Sequence, residues 1–158
     1  MFHIHGRLAS GRTALQPMAL LRKVGACFGK GPLMPHLTID YSANLEEVID
    51  FSGLCDALRA AMTEMPVFPA AGVRVRAIPA VHYSIADGNP AHGYIDISLR
   101  LRAGRAMADK EAATQALFEV ARSFVAPVMA ERPIALSFEM RDIDPALSPK
   151  TGTIRDHL

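Results

Sequence analysis

The sequence predicts an α+β fold of two layers, in which a β-α-β unit occurs twice and two helices pack on one face of a single sheet. Three observations predict it. Apolar residues alternate with polar ones at Ile95, Ile97, Leu99 and Leu101, and again at Ile134, Leu136, Phe138 and Met140, the two-residue period of a strand with one buried face. Stripes of apolar residues at helical spacing fall between the strand patterns. The span 35–158 has the size of one domain, enough to bury roughly two thirds of the surface its unfolded chain exposes.

Taken in order, Leu37, Ile39 and Tyr41 alternate directly after Pro35 and predict a first strand. A helix follows. Ser52 is the expected N-cap, Leu54, Leu58, Ala61, Met62 and Met65 share one face, and Pro66 ends the helix by disfavouring helical geometry at Met65. The connection from Pro66 to Gly72 leads into a second strand in which Val73 and Val75 point one way and Arg74 and Arg76 the other. That strand is expected to reach Tyr83, with Pro79 marking an edge or a bulge. Asp87-Gly88 and Asn89-Pro90 form a turn-rich connection too long for a tight hairpin.

The strand at 95–101 comes next, and after Ala103-Gly104-Arg105 a long helix is expected. Its stripe is Leu117, Ala121, Phe124 and Val128, widened by Phe118, Val125 and Met129. Pro127 predicts a kink or an early end, because it lacks an amide donor and clashes with the carbonyl of Ser123. The strand at 134–140 closes the order. Helices of this size between strands favour parallel crossovers, so both helices should lie on one face.

Residues 1–34 differ in character from the rest: they hold Arg7, Arg12, Arg22, Lys23 and Lys30 and no Asp or Glu. The net charge of +1, from 17 basic and 16 acidic residues, is therefore a +5 extension joined to a −4 domain. Pro17 and the pair Arg22-Lys23 break the apolar stretch before a secretory h-region forms, and an organellar transit peptide would carry more serine. Five scattered cations without interleaved aromatics make a poor nucleic-acid arm, and His3 and His5 lack the further ligands a metal needs. The expected organisation is a basic N-terminal extension at 1–34, read as a start-site miscall or a disordered segment, and one domain at 35–158. Lys30-Gly31 is encoded AAR-GGN, a purine run resembling a bacterial ribosome-binding site just ahead of Met34.

No apolar run approaches the roughly 20 residues needed to span a bilayer. With Cys27 in the extension, the domain holds the single cysteine Cys55, which excludes an intrachain disulfide there and fits a reduced, cytoplasmic setting. Cys55 reads as helix packing and not as a nucleophile, since no motif surrounds it.

The chemistry concentrates on Pro35. If translation starts at Met34, the small residue behind it allows the methionine to be clipped, leaving a secondary amine whose pKa can be tuned for general base work. If it starts at Met1, the same nitrogen is an amide without basicity. Arg74 lies early in a strand and Arg105 at the mouth of the second helix. Isolated arginines are mostly solvated, and a strand arginine is often only a weak ion pair. Beside an amine base they meet a specific need, because guanidinium groups bind carboxylates through two parallel hydrogen bonds and stabilise enolate charge. Arg76 is expected in an ordinary ion pair, and His36, His82 and His92 as polar surface or turn residues.

Met34-Pro35-His36, Phe68-Pro69-Ala70-Ala71-Gly72-Val73-Arg74-Val75-Arg76, Ala86-Asp87-Gly88, Leu101-Arg102-Ala103-Gly104-Arg105 and Ala135-Leu136-Ser137-Phe138-Glu139 together resemble the 5-carboxymethyl-2-hydroxymuconate Δ-isomerase family of the tautomerase superfamily. The resemblance spans nearly all of 35–158, including the spacing between motifs. It implies a tautomerase-like duplicated β-α-β with one mixed sheet, an amino-terminal catalytic proline at Pro35, substrate-binding arginines at Arg74 and Arg105, and a homotrimer with active sites near subunit contacts. It implies a cofactor-free, metal-free enol-to-keto tautomerisation of a polycarboxylate dienol in homoprotocatechuate degradation, with no nucleic-acid or membrane partner. The extension departs from the family, whose members begin at the proline. A tautomerase acting on a smaller 2-hydroxydienoate would use the same residues, and a non-catalytic tautomerase-fold oligomer is the reading if Pro35 is not N-terminal.

Overall fold

The computed structural model describes residues 34–158. The expectations for the basic extension, including those for His3, His5 and Cys27, lie outside the described residues. Six regular elements follow in order: β1 (His36–Ser42), α1 (Phe51–Glu64), β2 (Arg74–Ala80), β3 (Gly93–Arg102), α2 (Met107–Met129) and β4 (Ile134–Ile143). The sheet order is β2-β1-β3-β4. Within each half the strands are parallel, β1 with β2 and β3 with β4, while β1 and β3 join the halves antiparallel. The expected duplicated β-α-β and its mixed sheet are thus the architecture found.

The core lies between the sheet and the helices because one parity of each inner strand is apolar. Leu37, Ile39 and Tyr41 of β1 and Ile95, Ile97, Leu99 and Leu101 of β3 are buried, facing Leu54, Leu58 and Met62 of α1 and Ala113, Leu117, Ala121 and Val125 of α2. Each large side chain taken out of water here contributes roughly 1.5–3 kcal/mol. On α2 the most buried row is therefore the straight i, i+4 series through Ala113 and Val125, whereas Phe124 and Val128 pack at its margin. Leu136, Phe138 and Met140 of β4 are only partly buried, as befits an edge strand.

Three local expectations are corrected. The N-cap of α1 is Asp50, not Ser52: its carboxylate accepts the Gly53 N–H at 2.9 Å, and Ser52 already lies in the first turn. β2 ends at Ala80 and does not reach Tyr83, and Pro79 sits in it without cost to a ladder because β2 is an edge strand. Pro127 does not end α2 early; the helix runs two residues past it, so the missing donor falls in the last turn, opposite the carbonyl of exposed Ser123.

The face of the sheet away from the helices is polar and carries no layer among the described residues. Register aligns Arg74, His36, Arg100 and Arg141 in one row across all four strands, then Arg76, Thr38, Ser98 and Glu139, then Ile78, Asp40, Asp96 and Ser137. The two aspartates, directly opposed on β1 and β3, are held by hydroxyls: Tyr94 donates to Asp40 at 2.5 Å and Ser137 to Asp96 at 2.6 Å. Positive charge therefore gathers at the end where β1 begins, and negative charge farther along.

Candidate active site

Pro35 is buried immediately ahead of β1, and its carbonyl accepts the N–H of Arg74 at 3.1 Å. This bond extends the β1–β2 ladder by one step and fixes the proline to the head of the sheet. Met34, the residue bonded to its nitrogen, is half-buried and lines two adjoining hollows of about 320 Å³ and about 300 Å³. The atoms that clipping would remove thus occupy the space beside the proline nitrogen.

Arg74 opens β2 opposite His36, and its Nη1 lies 3.4 Å from His36 Nε2. It lines the larger hollow with Ala71, Gly72 and Lys150. The smaller hollow is lined by His36, Arg100, Ile143 and Lys150. Burial first, then Arg74, Arg100, Lys150 and Arg76, push the His36 pKa below its ordinary 6.5, so its ring is neutral at neutral pH. Burial first, then Arg102, Arg100 and Arg74, likewise lower the Lys150 ammonium from its usual 10.5.

Arg105 is placed by the turn before it. Gly104 adopts φ +106°, a region that favours glycine, and the chain reverses so that Arg105 reaches back. Its Nε donates to the Val67 carbonyl at 3.0 Å and its Nη1 to the Arg102 carbonyl at 2.7 Å, leaving Nη2 buried without a partner among the described residues. Burial lowers its pKa from the usual value. Because β3 runs antiparallel to β1, Arg105 lies at the same end of the sheet as Pro35, but it lines neither hollow. The structure therefore joins Pro35 to Arg74 directly and holds Arg105 nearby on the loop that precedes β2.

The other candidates separate. Arg76 is exposed and forms no ion pair among the described residues, so its expected ion-pair role is corrected: no carboxylate stands opposite it in the register, where Thr38 is its neighbour. His92 pairs with Asp87 at 2.8 Å in the 81–92 turn, and His82 is exposed. His36, expected as a surface residue, instead stands between two arginines. Cys55 packs partly buried against the core, and burial raises its thiol pKa, which opposes reactivity. Among the described residues no three His, Cys, Asp or Glu side chains converge on a metal position. Arg100 and Lys150 were not singled out by the sequence reading. The first becomes legible only once β1 and β3 are paired in register, and the second has no local signal.

Chemically, the hollows at this end of the sheet are lined by several cations and, among the described residues, by no carboxylate except Asp156 at the margin of the larger one, a charge balance that suits an anion.

Comparison with known proteins gives a consistent set of relatives. The family model described as 5-carboxymethyl-2-hydroxymuconate isomerase matches residues 35–158. The 5-carboxymethyl-2-hydroxymuconate Delta-isomerase of Escherichia coli is 31% identical over 121 residues, 77% of this chain and 96% of that protein. A crystal structure of a 5-carboxymethyl-2-hydroxymuconate isomerase from Deinococcus radiodurans R1 is 32% identical with a TM-score of 0.74, covering 78% of this chain and 93% of that one. A second crystal structure of a 5-carboxymethyl-2-hydroxymuconate delta-isomerase is 33% identical with a TM-score of 0.72, covering 78% and 92%.

Proposed function

This chain belongs to the 5-carboxymethyl-2-hydroxymuconate isomerase family and is an isomerase, and we propose that its reaction runs on the nitrogen of Pro35, freed as the first residue of the working polypeptide. The observation that carries this reading is the placement of Pro35, buried at the head of β1, bonded through its carbonyl to Arg74 and adjoining hollows that Met34 lines. The match of the family to residues 35–158, beginning on the proline, supports the same boundary between a dispensable extension at 1–34 and the isomerase domain.

The substrate is a polycarboxylate dienol, 5-carboxymethyl-2-hydroxymuconate, of homoprotocatechuate degradation. Neutral Pro35 takes the proton of the 2-hydroxyl, the electron pair shifts through the diene, and the resulting ammonium returns a proton to carbon. One O–H bond breaks, one C–H bond forms, and no other reactant is consumed. An ordinary α-amine titrates at about 7.7–8.0, and burial beside Arg74, Arg100 and Lys150 favours its neutral form. Such a base contributes roughly 10²- to 10⁴-fold, and carboxylate binding by Arg74, with Arg105 as the second arginine the family resemblance implies, supplies positioning and enolate stabilisation.

A homotrimer, the assembly the family resemblance implies, would bring a neighbour's residues to the open side of the hollows. Among the described residues no helix is long and apolar enough to cross a membrane, and we place the enzyme in the cytoplasm. The test is to express the chain from Met34 and from Met1 and follow dienol turnover. The shorter product, with its methionine clipped, should be active, and equal activity in a form proven to keep Met1 would contradict the reading.

A further inference from the structure

We propose that Lys150 is a specificity-determining residue: the C-terminal segment carries its ammonium into the active site, where it takes a further carboxylate of a polycarboxylate ligand between the hollow lined by Arg74 and the hollow lined by Arg100. This rests on the reading of the site as one for a carboxylated dienol.

Four observations converge on it. Lys150 and Thr151 line both hollows together with Met34, so Lys150 stands on their common wall. Strand register places Arg74, His36 and Arg100 side by side on the same face. None of Arg74, Arg100 and Lys150 forms an ion pair among the described residues, so their charge is not neutralised from within. Lys150 is half-buried, unlike a lysine placed for solubility, and the cations around it oppose its own protonation, a field that an incoming polyanion relieves.

The backbone explains how a residue beyond the last strand reaches this point. Ala103 donates to the Ile143 carbonyl at 3.1 Å, extending the β3–β4 pairing to its end. Asp144 then accepts the Ala146 N–H at 2.8 Å and caps the turn Pro145–Leu147, which directs the chain toward Lys150. The need for a further cation follows from Arg105, which spends Nε and Nη1 on backbone carbonyls. Its Nη2 is buried and lines neither hollow, so the carboxylates fall to the hollows' own cations, Arg74, Arg100 and Arg155, with the compact ammonium of Lys150 as the point charge on their common wall.

The experiment uses Lys150→Ala and Lys150→Arg in the chain expressed from Met34, whose methionine is clipped, with calorimetric titration of tricarballylate, which has three carboxylates, against glutarate, which has two. Lys150→Ala should weaken tricarballylate about tenfold, the equivalent of about 1.4 kcal/mol, with glutarate changed less than about twofold, and Lys150→Arg should restore most of the loss. In turnover of the tricarboxylate dienol the loss should fall on KM, with kcat nearly held. Unchanged tricarballylate affinity in Lys150→Ala overturns the proposal, as does equal weakening of glutarate or failure of tricarballylate to bind the unmodified protein. If no dienol is turned over by the parent while Lys150→Ala still loses tricarballylate, the isomerase reading of the site fails and the Lys150 contact stands.

Discussion

Arg105 donates its Nε–H to the carbonyl of Val67 across 3.0 Å, tying the head of α2 to the loop that delivers Arg74. The same guanidinium reaches the Arg102 carbonyl, so it clamps the backbone beside the proposed carboxylate site, with its Nη2 left buried. Arg105→Ala should therefore do two things at once. It should lower stability by about 1.5–3 kcal/mol, because two carbonyls lose a charged donor, and it should raise KM for the carboxylated dienol. Urea unfolding and steady-state kinetics on the same preparation read both. Unchanged values in both would remove Arg105 from site and clamp alike.

Gly104 sits at φ +106° with open space around the position of a Cβ, so a side chain there meets backbone strain and no clash. Gly104→Ala is expected to cost about 1–2 kcal/mol and to loosen Arg105, giving an activity loss larger than that of a surface alanine substitution such as Ala103→Ser. Kinetics at a temperature well below the unfolding midpoint separate the loss of placement from the loss of stability.

His36 gives the fold an acid-sensitive point. Unfolded, its ring titrates near 6.5, whereas in the folded protein burial, then Arg74 and Arg100, hold its pKa lower. Above pH 6.5 the ring is neutral in both states and nothing is lost. As pH falls below that value the unfolded chain takes the proton first, so stability declines until the folded pKa is passed. Thermal melts of His36→Gln should decline less between pH 6.5 and pH 5 than those of the parent, and parallel curves would contradict this.

Pro35→Ala, made in a chain beginning at Met34, retains an amine once methionine is removed. Its kcat should fall by less than the roughly 10²- to 10⁴-fold attributed to a general base, because a primary amine takes over part of the work. Acetylating that terminus chemically should abolish the remainder. Full activity in the acetylated protein would exclude the nitrogen as base.

The parts of this molecule governed by short-range periodicity were legible in its residues. Alternation at Ile95–Leu101 and the spacing of Leu54, Leu58 and Met62 correspond to buried faces of β3 and α1, because side-chain period and burial are set locally. Ends were less legible: Asp50 outcompetes Ser52 as a cap because only its carboxylate sits where the Gly53 N–H points. Contacts between distant segments left no local trace. Arg100 beside His36 depends on the antiparallel register of β1 and β3, and Lys150 depends on the path of the chain after β4. Arg74 and Arg105 stand out by their places near Pro35 and by the family resemblance, and their geometry shows why a pattern alone does not rank them: one lines a hollow, the other chiefly binds backbone.

The working enzyme is expected to present Pro35 as a free secondary amine. Intact-mass measurement of active protein purified from its native host tests it most directly. The predicted result is the mass of a chain running from Pro35 to Leu158; an active preparation whose mass includes residues from Met1 onward would contradict it.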